Sequence, residues 1–350
     1  MDNSSQRTIL RVSPACEIPQ LAGQITSALV GDGPTLGFGE ITSESAPHYA
    51  AVVVGTSGSS GASKEVALTA TALISSARAS HKFIGAKPGQ TWSLLLPLTH
   101  IAAVNVIVRS IELGTLPIDL RNYEGEYPKV DYTSIVPTQL FRALNGDVRL
   151  LNHLKSAKTV LVGGAALSQS LRNQAELAGI KVITTYGMTE TCGGCVYDGE
   201  VLDGVEVEIR NGKINIRGPI LASSISLDAG WYETSDFGEI VDEKLFVLGR
   251  ADDVIISGGE NLSLNAVEES LSKAFPDIQS AAFAIEDPQW GHSLQIAIVG
   301  EVSDELISNH LEKELGAFAK PKGIHHLASL PLLGIGKVDR KALAKGISHE

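Results

Sequence analysis

The sequence predicts an α/β protein in two parts: a large N-terminal domain, residues 1–251, with mostly parallel sheets and a small β subdomain, and a small α+β domain, residues 252–350. Three observations carry this. The 350 residues are 43% hydrophobic and 19% charged, enough apolar sequence for a large core and enough length for two domains. Through the middle of the chain strand signals alternate with helical ones, the pattern of a parallel sheet covered by helices. From about Ala251 the pattern changes to strand, helix, strand, strand, helix over about 100 residues, the scale of a small module.

Taken in order, residues 1–48 read as one short helix around Gln20 to Leu29, a Gly-Asp-Gly-Pro turn and weakly patterned polar sequence. Ala50 to Val54 is a compact β-branched strand, Gly55 to Lys64 a glycine and serine turn, and Val66 to Thr69 a second strand that leads into a helical stretch ending near Phe83. The clearest βα unit runs from the strand Thr159–Val162 through Gly163-Gly164 and a helix from Ser168 to Ala178 to the strand Lys181–Thr185. Ser168 suits the N-cap of that helix, Gly179 its C-terminal cap, and Leu171 and Leu177 are expected near one face. Ligands of such sheets sit beyond the carboxyl ends of the strands, which puts Gly163 to Ala165 and Tyr186 to Glu190 at one crevice. Val205, Val207 and Ile209 then alternate with polar residues, Asn211-Gly212 is a hairpin turn, and Ile214 and Ile216 resume the alternation. After the boundary at Gly249-Arg250-Ala251-Asp252 come a helix over Leu264–Phe275, strands over Ala281–Ile285 and Leu294–Gly300, and a helix over Glu305–Leu315.

Charge and cysteine content narrow the function. With 28 basic and 40 acidic residues the net charge is −12, the wrong sign for a surface that tracks nucleic-acid phosphates, so nucleotide binding has to come from local sites. No apolar run approaches the roughly 20 residues of a bilayer span, and Met1 to Thr8 lacks the order of a signal peptide; the expectation is a cytoplasmic protein. Three cysteines make no even disulfide framework. Cys192 and Cys195 form a lone C-x-x-C with neither a helix start nor further ligands beside it, and they read as small residues next to a loop.

Three segments carry chemistry. Thr56-Ser57-Gly58-Ser59-Ser60-Gly61-Ala62-Ser63-Lys64 is a strand-flanked loop rich in backbone amides and hydroxyls that can close on a polyphosphate. It is not a Walker A loop, which needs Gly-Lys-Ser/Thr opening a helix. A flexible linker has the same composition, but strands on both sides and a closing lysine favour phosphate binding. Tyr186-Gly187-Met188-Thr189-Glu190 leaves a strand at the expected crevice and groups an aromatic for a base, a hydroxyl for a phosphate oxygen and a carboxylate for Mg²⁺. In Thr234-Ser235-Asp236 the carboxylate can accept both ribose hydroxyls, although alone it reads first as a turn residue.

Together and in this order these segments resemble the adenylate-forming superfamily of acyl-CoA synthetases, peptide-synthetase adenylation domains and luciferases. Thr56 to Lys64 resembles its phosphate loop, Tyr186 to Glu190 its adenine and magnesium motif, Trp231 to Asp236 its ribose motif, Gly249 to Glu260 its hinge and coenzyme motif, and Gly334 to Lys337 its catalytic-lysine loop. Within the superfamily, Leu96-Pro97-Leu98-Thr99-His100, Val136-Pro137-Thr138-Gln139-Leu140, Leu161 to Ala165, Ile255 to Asn261 and Trp290-Gly291 are most similar to the menaquinone-pathway o-succinylbenzoate-CoA ligases. Two departures stand out: the phosphate loop begins near residue 55, as in a shortened form, and the usual Pro-Lys-Gly closing it is Ser63-Lys64-Glu65.

The resemblance implies an ATP-dependent ligase that uses Mg²⁺, activates a carboxylic acid as its acyl-adenylate and passes the acyl group to coenzyme A. It assigns Lys337 to the meeting of carboxylate and phosphate, Glu190 to the metal, and Thr189 to the phosphates. Gly164, Ala165, Tyr186, Gly187, Asp236 and Arg250 fall to the nucleotide, Gly258 and Gly259 to the thiol tunnel, and Asp252 to a hinge. His100 is implied to gate the pocket or position the acyl group; on its own it is equally a core histidine. Arg109, nine residues later in the apolar stretch Asn105 to Ile111, is expected to hold the second carboxylate of o-succinylbenzoate, or else to reach solvent or pair with an acid such as Glu112. The competing expectations are a ligase for another acid or for a carrier protein, and a nucleotide-binding relative without catalysis. Whether the chain forms a homo-oligomer is left open.

Overall fold

The computed structural model describes residues 6–57, 63–250, 253–257, 260–287, 291–333 and 338–347. The chain opens with β1 (Gln6–Arg11), α1 (Ile18–Leu29), β2 (Thr35–Phe38), β3 (Ser45–Pro47), β4 (Ala50–Ser57), β5 (Ser63–Thr69) and α2 (Ala70–Ile84). The five strands form one sheet in the order β3-β1-β2-β4-β5, parallel through β1, β2 and β4. β5 returns antiparallel on β4 with Thr56 opposite Lys64 and Ser57 opposite Ser63, so the glycine and serine segment joins two paired strands. Residues before 48 are therefore more ordered than their weak patterning predicts. β1 buries only Ile9, and its Arg7 side chain is spent on the carbonyls of Asp32 and Gly33, which leaves little hydrophobic periodicity to read.

The second sheet contains β6 (Trp92–Leu94), β7 (Ile118–Asp119), β8 (Tyr132–Ile135), β9 (Thr159–Val162), β10 (Val182–Met188), β11 (Gly193–Tyr197) and β12 (Glu200–Val201), in the order β12-β11-β10-β9-β8-β6-β7. Five strands run parallel, as the βα alternation predicts, and β11 and β12 turn back antiparallel. α3 (Ile101–Glu112) packs on β6, β8 and β11 and also on α1 and α2, so the three helices form a layer between the two sheets. This layer holds the main core, with Leu21, Ile25, Leu73, Val104, Ile107 and Trp92 all buried. The far face of the second sheet is covered by α4 (Pro137–Leu144), α5 (Val148–Ser156) and α6 (Gln169–Leu177). In α6 the Ser168 hydroxyl caps the Leu171 amide as expected and Gly179 takes φ +84° just beyond the end. Leu177, however, is 90% exposed: the buried side is Leu171, Ala175 and Ala178, at i, i+4 and i+7, from which Leu177 points away.

β13 (Glu206–Arg210), β14 (Lys213–Arg217), β15 (Tyr232–Val241) and β16 (Lys244–Arg250) make an antiparallel sheet. Its first turn is Asn211-Gly212 with φ +50° and +77°, the pair of left-handed residues a two-residue hairpin demands. The remaining elements are β17 (Val254–Ser257), β18 (Glu260–Ser263), α7 (Leu264–Ala274), β19 (Gln279–Asp287), β20 (Gly291–Val299), α8 (Asp304–Leu315), β21 (Gly323–His326) and α9 (Arg340–Ile347). The predicted helices and strands of this region are found, together with the β17–β18 hairpin, β21 and α9, which are too short to announce themselves by period. Val267, Leu271, Leu294, Ile296, Ile307 and Leu311 form a separate core within residues 255–324. No helix among the described residues is long and apolar enough to cross a membrane.

Candidate active site

The β4–β5 hairpin, the end of β10 and the start of β15 meet at one polar cluster. β10 runs out through Tyr186, Gly187 and Met188 into a single 3₁₀ turn, Thr189–Thr191, which carries Glu190. Lys64, opposite Thr56 at the mouth of the hairpin, places its Nζ 3.3 Å from Glu190 Oε1. The Tyr186 hydroxyl donates to Asp236 Oδ2 at 2.7 Å, and Arg250 at the end of β16 stands 3.9 Å from Asp236 Oδ1. Five residues from four separate motifs are thus brought together. Gly187 is required here, because a Cβ would run into the Gly193 carbonyl of β11.

Backbone bonds lock the pieces in register. The Ala222 amide donates to the Glu190 carbonyl at 2.8 Å and the Ser223 amide to the Ala67 carbonyl of β5 at 3.1 Å, so one short segment stitches the hairpin to the motif after β10. Glu65, which stands where the resembling family has glycine, accepts from the amides of Thr42 and Ser43 at 2.6 and 3.0 Å and from the Thr42 hydroxyl at 2.9 Å. Burial opposes its charge, but these bonds outweigh that and hold the carboxyl at about 2. Because the folded value lies below the unfolded one, the stabilisation is complete above about pH 4.5 and is lost as the pH falls toward 2. Glu65→Gln is therefore expected to lower the melting temperature by a few degrees at pH 7, with the gap to the parent closing progressively below pH 4.5. A gap that stays constant down to pH 2.5 would contradict the assignment.

The cluster sets two carboxylates against two cations and is partly dry. Asp236 is 7% exposed, and Tyr232, which the sequence reading did not single out, sits near both Glu190 and Asp236. Burial, then Glu190 and Asp236, push the Tyr232 phenol up to about 12, and burial followed by Asp236 raises Tyr186 as well. Both stay protonated, so they act as donors toward carboxylates and ligand oxygens. Among the described residues no group of three His, Cys, Asp or Glu side chains is arranged to hold a metal. One carboxylate, Glu190, fits Mg²⁺, which is commonly held by one or two carboxylates together with substrate phosphates.

At the end of β9, Gly163 lies against Thr185 of β10 and is followed by the exposed Gly164, at φ +85°, and Ala165, which places them beside the strand that leads to Tyr186. His100 is half-buried at the N-cap of α3. Arg109, at the other end of that helix, is about 13 Å further along by helical rise and outside the cluster. It is 4% exposed and makes no ion pair among the described residues; Glu112 pairs with Arg78 instead. Its Nη2 donates to the Tyr197 hydroxyl at 2.9 Å, and its guanidinium carbon lies 5.2 Å from the centroid of the Trp92 ring. Both cysteines of the C-x-x-C are buried and free, and burial pushes the Cys195 thiol up to about 12 and raises Cys192 too. Gly58, Ser59, Ser60, Gly61, Asp252, Gly258, Gly259 and Lys337 lie outside the described residues.

A cleft of about 620 Å³ opens between Leu95–Leu98, α4 and residues 329–332. Its lining contains none of Glu190, Asp236, Lys64 and Arg109, so its volume says nothing about the polar cluster. The cluster is defined by the convergence of its side chains.

Known proteins are similar to this chain in sequence and fold. The model of the AMP-binding enzyme family matches residues 17–220. The chain is 38% identical over 331 residues to a probable 2-succinylbenzoate–CoA ligase of Mycobacterium tuberculosis, covering 86% of this chain and 85% of that protein. It is 29% identical over 316 residues to the 2-succinylbenzoate–CoA ligase of Escherichia coli, covering 84% and 68%. Among solved structures it is similar to Bacillus subtilis o-succinylbenzoate CoA synthetase (MenE) in complex with the acyl-adenylate intermediate OSB-AMP, with a TM-score of 0.72 and 27% identity over 84% of this chain and 69% of that one. With the family model spanning more than half of the sequence and a relative of that identity covering most of it, this chain belongs to the AMP-binding enzyme family.

Proposed function

We propose that the protein is an o-succinylbenzoate-CoA ligase of menaquinone biosynthesis, an acid-thiol ligase that uses ATP, Mg²⁺ and coenzyme A in the cytoplasm. The observation that carries the choice of acid is Arg109, a buried guanidinium that makes no ion pair among the described residues. A buried ion without a counter-ion costs on the order of several kcal/mol, and the Trp92 face returns only part of that. A dicarboxylic acid supplies the missing anion: one carboxylate reacts, and the other answers Arg109. The relatives' names support the same reading.

In the first step a carboxylate oxygen of the acid attacks the α-phosphorus of ATP, the bond to the β-phosphate oxygen breaks, and pyrophosphate leaves. Two anions approach, so the barrier is mainly electrostatic. Lys64 holds the outgoing phosphates together with Ser57, Gly58, Ser59, Ser60 and Gly61 of the same motif, Thr189 offers its hydroxyl to them, and Lys337 bears on the reacting oxygens. Glu190 would hold Mg²⁺, which when bound would supply positive charge against the phosphates, and this requires the Lys64 contact to yield when nucleotide enters. Asp236 accepts from the ribose hydroxyls with Arg250 beside it. Tyr186, oriented by its bond to Asp236, and Gly164-Ala165 receive the base. In the second step the thiol sulfur of coenzyme A attacks the acyl carbon and AMP leaves. Residues 252–350 act as a mobile domain that turns about Asp252, withdrawing Lys337 and bringing Gly258 and Gly259 to the thiol path while His100 guards the acyl end.

Pyrophosphate release over a panel of aromatic and aliphatic acids, with and without coenzyme A, tests this reading. Release is expected with o-succinylbenzoate and Mg·ATP, at a kcat/KM at least about tenfold above benzoate or succinate, the effect of losing one charged contact. Thioester should form only when coenzyme A is added. Better turnover of another acid would reassign the substrate, and no release with any acid would mark a relative without catalysis.

A further inference from the structure

The strand that follows the Tyr186–Glu190 motif is fastened to two helices by two polar rungs one helical turn apart. At the first rung Ser76 of α2 and Asn105 of α3 both donate to the Cys192 carbonyl, at 3.1 and 2.7 Å. At the second the Tyr197 hydroxyl accepts from Arg109 Nη2 of α3 and donates to Ser80 Oγ of α2, each at 2.9 Å. Ser76 and Ser80, like Asn105 and Arg109, are four residues apart and so share a helix face. All six residues are buried. The sequence between the rungs is built for this approach: a Cβ on Gly193 would strike the Asn105 amide, and one on Gly194 would come within 2.8 Å of the Tyr197 ring.

Around the guanidinium the described groups are neutral. His81 is pushed down to about 4 by burial and then by Arg109, so it carries no charge near neutral pH. Three buried atoms in this pocket, Arg109 Nε, His81 Nε2 and Trp92 Nε1, have no hydrogen-bond partner, whereas Nη2 is committed to Tyr197. One edge of the fork is thus pinned. Nε is left as a donor for an incoming anion.

We infer that Tyr197 is a positioning residue for Arg109, and that the Ser80–Tyr197–Arg109 chain sets the protein's selectivity for an acid bearing a second carboxylate. Tyr197 touches no reacting atom; it fixes the rotamer of the residue that reads the far end of the acid. The inference rests on the proposed role of Arg109. Tyr197, at the end of β11, is seven residues beyond Glu190 in the 3₁₀ turn that precedes the strand, so the residue that positions Arg109 and the carboxylate proposed to hold Mg²⁺ lie on one continuous stretch of backbone.

Tyr197→Phe keeps the ring and its edge contact with Phe83 while deleting the hydroxyl. It is expected to raise KM for o-succinylbenzoate by about fivefold, the size of one ordinary hydrogen bond because the effect reaches the acid only through Arg109, with kcat and the KM values for ATP and coenzyme A within about twofold. KM for the analogue lacking the aromatic carboxylate should not move. Ser80→Ala, which leaves the tyrosine in place but frees its rotor, should shift KM in the same selective way by a smaller factor, and it keeps the test open if Tyr197→Phe folds poorly. An unchanged KM for o-succinylbenzoate, or an equal rise for both acids, overturns the inference. The two readings separate cleanly. If the parent protein shows no preference for the dicarboxylate, the functional reading has failed. If the preference exists and Arg109→Leu removes it while Tyr197→Phe does not, only the positioning role has failed.

Discussion

Lys337→Ala is expected to reduce acyl-adenylate formation by at least about 10²-fold, the usual cost of removing one electrostatic donor from a charge-developing transition state. Thioester formation from supplied acyl-adenylate should stay within about tenfold of the parent, because the lysine's charge is needed only where carboxylate meets phosphate. The loss belongs in kcat of the first half-reaction, with the affinity for ATP little changed, since nucleotide binding is proposed to rest on Lys64, Glu190 and Asp236 rather than on Lys337. Single-turnover measurement of each half-reaction checks this. Equal loss in both halves would show that Lys337 serves the fold of residues 252–350 instead.

The contrast between Lys337 and Lys64 shows what the sequence could reveal. Both close glycine-containing loops and neither is informative alone. Lys64 gained its meaning from strands on both sides, Ala50–Val54 and Val66–Thr69, and those strands pair in the register that sets Lys64 beside Glu190, 126 residues away. Ordered motifs made the large-scale α/β layout and the polar cluster readable, because each motif borders a strand, although the strands concerned belong to three separate sheets whose meeting no single motif announces. What stayed hidden was packing without period. β1, with one buried residue, could not declare itself, and Leu177 was assigned to the buried side of α6 although a step of six residues turns it well away from Leu171.

Tyr232 and Tyr197 were missed for a different reason. Their importance comes from what they face across the fold: Tyr232 between two carboxylates, Tyr197 between α2 and α3. No local pattern encodes such a pairing. The only sequence trace of the second is Cys192-Gly193-Gly194-Cys195, which reads as small residues next to a loop and, in the fold, lets β11 approach α3 closely. Arg109 was legible because a lone arginine in an apolar helix poses its own question. Of the sequence alternatives, pairing with Glu112 is excluded by the Arg78–Glu112 bridge, and reaching solvent by its burial.

Arg109→Leu is the substitution with the largest expected effect on substrate choice, and its two consequences should have opposite signs. KM for o-succinylbenzoate is expected to rise at least tenfold, about 1.4 kcal/mol or more, with much less change for the analogue lacking the aromatic carboxylate. Stability should not follow. The substitution removes a buried cation that makes no ion pair among the described residues and whose Nε has no partner, and replacing such a charge by an apolar side chain is often neutral or stabilising. Against that stand the lost contact over Trp92, at 5.2 Å from its centroid, and the volume left by a shorter side chain, each worth about 1 kcal/mol. The melting temperature should therefore stay within a few degrees of the parent, or rise, while selectivity collapses. Tyr197 keeps its bond to Ser80 in this variant, so the second rung is not left wholly unpaired. A purely structural arginine predicts the reverse pattern, a clear loss of stability with both acids affected alike. Thermal melts and KM for the two acids, taken on the same preparation, decide between a residue retained at a cost to the fold in order to read the acid and one retained to hold the fold together.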